Sequence, residues 1–367
     1  MAELCLSRIR WLGPAHARTL IEWFGGPREV LDADRRSLFR VPGMNQRLAD
    51  SIQRAPAIDD LQEEAQRLRN AGIGTCLIGG SDYPSRLSLC PDAPVLLYGK
   101  GELDLERERM ISIVGTRNIT PYGKALCREL VEGLVSLDPV IVSGLAFGVD
   151  IKAHRTALKE GLSTIAVAGH GPDRVYPIEH APDLQEMCYR GGLVTEFPLG
   201  TPPDRHHFPR RNRIIAGLTD CTVVVETGRK GGAMITADIA HSYEREVLTF
   251  PGPVNENSSS GCNRLIKEHK GALIEGVEDL LHQMHWEGVP KQREDGEAHQ
   301  RELFLQDLEE EERGIARIVG EAGRISLDGI AVKADMPIGK LSPILLDLEL
   351  KGVLNSLPGK IYVRADL

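Results

Sequence analysis

Six short runs between residues 110 and 252 are apolar almost without interruption: MISIVG (110–115), PVIVSG (139–144), STIAVAG (163–169), GLVTEF (192–197), CTVVVET (221–227) and EVLTFPG (246–252). A strand with one wet face alternates apolar and polar residues. Runs without alternation, rich in β-branched side chains, are strands buried on both faces and hence belong to a parallel sheet. Segments of helical length lie between them: PYGKALCRELVEGLVSL, VDIKAHRTALKEG, PDLQEMCYRGG, NRIIAGLTD and GAMITADIAHSYERE. The alternation predicts an α/β fold with a doubly wound parallel sheet, whose ligands bind beyond the carboxyl ends of the strands. Several of these ends carry glycine beside polar residues, as GTR, SGL, GHG, ETG and PGP. That edge is the expected working face.

The rest of the chain divides around this core. Residues 1–70 show helical periodicity without a strand-like run, in pieces such as WLGPAHARTLIEWFGG and NQRLADSIQRA broken by Gly-Pro or Pro-Gly. They predict a small helical domain of the sterile-alpha or helix-hairpin-helix type. The core is assigned to 75–285. Residues 286–308 read as an acidic linker, and 309–367 as a winged helix built from EEERGIARIVGEAG, LDGIAVKAD, IGKLSPILLDLELKG and a hairpin turning at Pro358-Gly359. The charges of the third of these helices, Lys340, Asp347, Glu349 and Lys351, cancel. That balance points to packing or protein contact rather than base reading.

Composition removes several classes of function. The chain has 367 residues and a net charge of −9, but residues 286–312 alone contribute −7, so the overall acidity says little about partners. Seven cysteines without CxxC or His/Cys ligand spacing argue against a disulfide framework or a zinc site. The longest apolar runs are too short to span a bilayer, and MAELCLSRIRWLG has no signal-like apolar core. A cytoplasmic protein is expected, with no membrane partner, metal or cofactor.

The glycine loops favour anions. Gly115 turns off its strand, Thr120-Pro121 caps the next helix, and Arg117 between them can hold a phosphate bidentately, with that helix's free amides adding to the attraction. Ser143-Gly144 ends another strand. Asp150 and His154, four apart on the helix beyond, lack a nucleophile or third member and read as structural, as does His170 between its two glycines. Gly231-Gly232 opens a helix after a strand with Lys230 adjacent. No Ser or Thr follows a lysine at the P-loop offset, and no GxGxxG is present, so ATP hydrolysis and hydride transfer are both unsupported. The stretch from Arg205 to Thr219 holds four arginines, two histidines and no acid. Arg205, His207 and Phe208 are placed on a loop, and Arg211, Asn212 and Arg213 at the first turn of the helix that follows. Arginines with an aromatic for base stacking are what an unpaired nucleic-acid strand requires.

SIVGTRNITPYG, VSGLAFGVDIKAH, VYP, TEFPLG, FPRRNRIIAGL, ETGRKGGAMITADIA and TFPGPVNENSSSGCNRLIKEHKGALI occur in that order over some 170 residues. Together they resemble the DNA-processing DprA/Smf family. The resemblance implies an extended Rossmann-like core between a helical N-terminal domain and a winged helix. It implies a non-enzymatic protein that binds single-stranded DNA, protects incoming strands in natural transformation, loads the RecA recombinase and dimerises through its core. Carried onto this sequence, the DNA groove comprises Gly115, Thr116, Arg117, Ser143, Gly144, Phe208, Arg211, Asn212, Arg213, Lys230, Gly231 and Gly232, followed by Asn263 and Lys267. One departure is Ile178-Glu179 after Tyr176-Pro177, where many relatives carry a basic residue. The competing readings are a nucleoside-monophosphate phosphoribohydrolase, whose PGGxGTxxE loop has a glutamate where KGGAMITA has alanine, and a recombinase adaptor with incidental DNA contacts.

Overall fold

The computed structural model describes residues 1–286, 310–322, 324–334, 336–351, 353–357 and 361–364. The chain forms two compact units, Met1–Pro290 and Lys291–Leu367. The stretch 286–308 assigned to a linker lies outside the described residues, apart from Trp286.

The first unit is organised by a nine-stranded sheet. Its strands are β1 (Ile73–Leu77), β2 (Leu96–Gly101), β3 (Met110–Val114), β4 (Val140–Ser143), β5 (Thr164–Val167), β6 (Gly191–Thr195), β7 (Cys221–Val224), β8 (Glu246–Thr249) and β9 (Ala272–Leu273). Their order is β1-β2-β6-β5-β4-β3-β7-β8-β9. From β6 to β9 every pairing is parallel, as the unbroken apolar runs predict. Every residue of β3, β4, β5, β6 and β7 is buried, because helices cover both faces. The chain winds outward from β3 through β4 and β5 to β6, then returns to place β7 on the other side of β3. The two halves of the sheet therefore separate at β3 and β7, the topological switch point where such sheets open a crevice.

β1 and β2 extend the sheet antiparallel at one edge. β1 buries only its two ends, so it carries no unbroken apolar run. Six short helices precede it: Ala2–Ser7, Pro14–Phe24, Pro27–Asp32, Arg35–Leu38, Gln46–Gln53 and Gln62–Asn70. Pro14 and Pro27 open their helices, and the side chains of Asp34 and Asn45 cap two others by accepting from Ser37 N and Leu48 N. These helices do not stand apart. Leu4, Leu6, Leu20, Leu38 and Ile52 belong to the same buried cluster as Leu97, Tyr98 and Val194 of the sheet.

The second unit has helices Glu310–Ala322, Leu327–Lys333 and Ile338–Leu350 and a sheet of β10 (Arg324–Ser326), β11 (Leu354–Leu357) and β12 (Ile361–Arg364) in the order β10-β12-β11. Ile315, Val319, Ile330, Leu341, Leu345 and Leu348 form its core. Pro358 and Gly359, expected to turn the hairpin, lie outside the described residues. Lys340 pairs with Glu311, and Lys351 pairs with Glu312 at 2.6 Å, so the cations of the third helix are tied to the first.

Candidate nucleic-acid interface

A cleft of ≈ 410 Å³ opens at the carboxyl ends of β3 and β7. It is lined by Gly115, Thr116 and Arg117 from the loop after β3, by Phe208, Arg211 and Asn212 from helix His207–Leu218, and by Lys230, Gly231 and Gly232 at the start of helix Gly232–Ser242. Arg117 and Lys230 are exposed at its mouth, while Arg211 is 4% exposed at its floor.

The loops are held by backbone-to-backbone stitching between neighbouring strand ends. Thr116 N donates to Glu226 O at 2.7 Å, and Val149 N donates to Thr116 O at 3.1 Å. Gly148 makes the second approach possible. Its φ is +82°, and a Cβ there would lie 2.6 Å from Arg117 O. Glu226, buried after β7, accepts from Thr120 N at 2.9 Å and Thr120 Oγ1 at 2.8 Å. Thr120 caps its helix by accepting from Gly123 N, as its position predicts. That helix start was expected to offer free amides to an external anion. The Glu226 carboxylate lies beside it, bonded to the N-cap residue Thr120, where the positive end of a helix favours an acid. The free helix start at the cleft is the one beginning at Gly232, whose N-cap Gly231 has no side chain to compete with a ligand.

Arg211 is the central cation. Its Nη1 donates to Val167 O, and its Nε finds no partner among the described residues. Burial lowers its pKa to about 10, a drop limited by the charge of Asp150 and deepened by Arg117, so it stays cationic near neutral pH. Asp150 is itself pushed up by burial, and its carboxylate accepts from Gly144 N at 3.2 Å and Ala146 N at 3.4 Å. Gly144 leaves room for the buried guanidinium, since a Cβ there would meet the Arg211 Cζ at 2.6 Å. Asn212 donates to Gly232 O at 3.2 Å, which joins the two helices that form one wall.

Above the floor, the Arg117 guanidinium lies 5.6 Å from the centroid of Phe208, and Phe208 stacks on Tyr176 with centroids 5.9 Å apart. Tyr176 is 46% exposed, so the row presents aromatic surface to solvent. Sequence reasoning attached no role to Tyr176 beyond the VYP motif. It lies far along the chain from Phe208, and only packing puts the two rings in register.

Seven of the residues expected from sequence to contact the strand, in the groove or on the loop before the helix, do not line this cleft. Helix His207–Leu218 starts five residues earlier than expected, so His207 and Phe208 fall within it and Arg211 and Arg213 lie in its second turn. Residues two apart on a helix face opposite sides. Arg213 accordingly points away, donating to Asp92 O and pairing with Glu196 at 2.6 Å, where Arg210 joins it. Ser143 is fully buried and donates to Ile113 O at 2.6 Å, while Gly144 lies behind Arg211. His207 stacks on Phe197 at 4.2 Å and shares a hydrogen bond with Gly169 O. Arg205 is exposed on the preceding turn. Asn263 pins the loop after β8 by bonding both N and O of Gly252, and Lys267 is exposed at the end of helix Ser260–Lys267. His154 bonds Thr164 Oγ1 at 2.7 Å and forms no hydrogen bond with Asp150, and His170 is buried against Gly171 O. Both have the structural roles expected of them.

The comparison with known proteins follows the same core. Residues 75–285 match the family model of DNA recombination-mediator protein A, and residues 301–360 match the DprA winged helix domain. The chain belongs to the DprA family. Its role is that of a DNA-processing recombination mediator. Protein Smf of Escherichia coli K12 is 34% identical over 290 residues, covering 77% of this chain and 75% of the relative. The DNA processing protein DprA of Streptococcus pneumoniae R6 is 41% identical over 201 residues, covering 54% of this chain and 70% of the relative. Among solved structures, DprA from Streptococcus pneumoniae superposes with a TM-score of 0.63 at 31% identity, covering 76% of this chain and 95% of that one. DprA from Helicobacter pylori, described for its single-stranded DNA binding mode, gives a TM-score of 0.54 at 28% identity, covering 59% of this chain and 97% of that one. No described helix is long and apolar enough to cross a membrane.

Proposed function

We propose that this chain binds single-stranded DNA in the cleft between β3 and β7 and hands it to the RecA recombinase without altering it chemically. One observation carries the reading: Arg117, Arg211 and Lys230 converge on a single cleft beside the stacked rings of Phe208 and Tyr176. Cations for phosphates next to an aromatic row for bases suit a strand whose bases are unstacked. Gly115, Thr116, Asn212, Gly231 and Gly232 supply close backbone and amide approach. Ser143, Gly144, Arg213, His207 and Asn263 support the walls, while Arg205 and Lys267 are exposed cations outside the cleft.

A non-enzymatic role is supported by the state of the acids at the cleft. Among the described residues Asp150 is the one carboxylate in its lining, and two backbone amides hold it. Glu226 behind the lining is committed to Thr120. Neither is placed as a free general base for the phosphoribohydrolase alternative. Dimerisation through the core is consistent with the open edge at β9, a two-residue strand whose Leu273 is 45% exposed.

The experiment is a binding comparison of single-stranded with duplex DNA, with and without recombinase. Preference for the single strand, and faster recombinase assembly on it in the presence of this protein, are expected. Arg117→Ala should weaken binding uniformly across sequences, since a phosphate contact carries no base information. Equal affinity for duplex, or an Arg117→Ala variant with unchanged affinity and salt dependence, would remove the cleft from DNA binding.

A further inference from the structure

A second cationic and aromatic site lies on the helical N-terminal segment. A cleft of ≈ 650 Å³ is lined by Arg10, Trp11, Gln46, Arg47, Asp50 and Arg54, among others. Trp11 is 56% exposed and has two guanidinium groups beside its ring, with Arg10 Cζ 4.9 Å and Arg47 Cζ 5.1 Å from the ring centroid. The cleft's one acid, Asp50, is already paired with Arg35, and the neighbouring Arg8 is paired with Glu64 at 2.6 Å. Arg10, Arg47 and Arg54 form no ion pair with any described carboxylate.

The backbone adds an independent sign. Trp11 has φ = +69°, the left-handed region that a bulky residue avoids and that glycine or asparagine occupies freely. Such conformations are costly and persist only where the surrounding structure fixes them. Here an indole is held outward at the turn between helices Ala2–Ser7 and Pro14–Phe24, with cations on its ring. No other exposed large apolar side chain lines the cleft, which argues against an apolar helix as its occupant.

We infer that the Arg10–Trp11–Arg47 cleft is a second single-strand nucleic-acid subsite, where a base stacks on Trp11 and flanking phosphates meet Arg10, Arg47 and Arg54. The class of ligand rests on the single-strand reading of the β3–β7 cleft; the geometry does not. The helical segment shares its buried core with the β1–β2 edge of the sheet, so the two sites belong to one compact unit, and on this proposal a long strand engages both. The effect of two sites joined by one ligand is avidity, which a short strand cannot recruit.

The test uses the full chain, oligothymidylates of short and long length, and iodouridine-substituted strands for photocrosslinking. Arg10→Ala/Arg47→Ala should lower the salt slope for the long strand by about 1.4, from about 0.7 per phosphate contact. Trp11→Ala should weaken long-strand binding about tenfold, and Trp11→Phe should restore most of the loss. A crosslink at Trp11 that persists in Lys230→Ala supports the subsite even if the β3–β7 reading fails. Failure of that other reading would show separately, as unchanged binding in Lys230→Ala and Arg117→Ala. Absence of any adduct on residues 1–70 would overturn the inference, as would wild-type DNA affinity and slope in Arg10→Ala/Arg47→Ala. Loss of recombinase binding alone in that variant would assign the cleft to a protein and overturn it equally.

Discussion

Gly144→Ala tests the cleft floor most sharply, because its effect should depend on a residue 67 positions away in sequence. Gly144 is not among the residues with positive φ, so alanine introduces no backbone strain there. The new Cβ would instead meet Arg211, 2.6 Å from Cζ. Arg211 is buried and anchored to Val167 O, so relief requires the guanidinium to move and that charged hydrogen bond to break. A hydrogen bond from a charged donor contributes about 1.5–3 kcal/mol, and the variant should lose about that much stability. In an Arg211→Ala background the space is already empty, and the same substitution should cost only a few tenths of a kcal/mol, giving a coupling of about 1–3 kcal/mol. Urea denaturation of the four proteins of the cycle measures this, and single-strand affinity should follow the same non-additive pattern. If Gly144→Ala destabilises equally with and without the Arg211 guanidinium, the account of the floor is wrong.

Other consequences are open to direct measurement. Lys230→Ala should flatten the plot of log affinity against log salt by about 0.7 with little change in stability, since the side chain is exposed. Phe208→Ala should weaken single-strand binding by about 1–3 kcal/mol with an unchanged slope, and Tyr176→Ala should show the same signature, as expected of stacking partners. His154 is buried uncharged, its pKa pushed from 6.5 down to about 3 by burial. Between these values the unfolded chain binds a proton there that the folded chain does not, so stability falls as pH falls through this window, by at most about 1.4 kcal/mol per pH unit. His154→Gln should remove that part of the acid dependence, and an unchanged pH profile would show that His154 does not supply it.

The relation between sequence and site is clearest at Arg211 and Arg213. Read as a string they are equivalent, two arginines in an acid-free stretch. Once the helix begins at His207, its periodicity turns one toward Asp150 and the other toward Glu196. Pro209 lies in the first turn of that helix. A proline suggests a boundary, yet it is tolerated within a helix's first turn, where its missing N–H has no partner to lose. The acid beside the helix start at Pro121 was hidden for a different reason. Glu226 lies more than a hundred residues from Thr120, and no local pattern shows that its carboxylate lies beside that helix start.

The sheet was legible because burial on both faces leaves a direct mark, an unbroken apolar run, and because glycines mark the strand ends where backbone must pass close to backbone. Composition and spacing therefore determined the parallel core and the glycine-lined edge at which the cleft opens. The antiparallel edge strands, the partner of each arginine and the alignment of Phe208 with Tyr176 were decided only when the chain folded. Each depends on contacts between residues distant in sequence, and a side chain's charge says nothing about which neighbour will neutralise it.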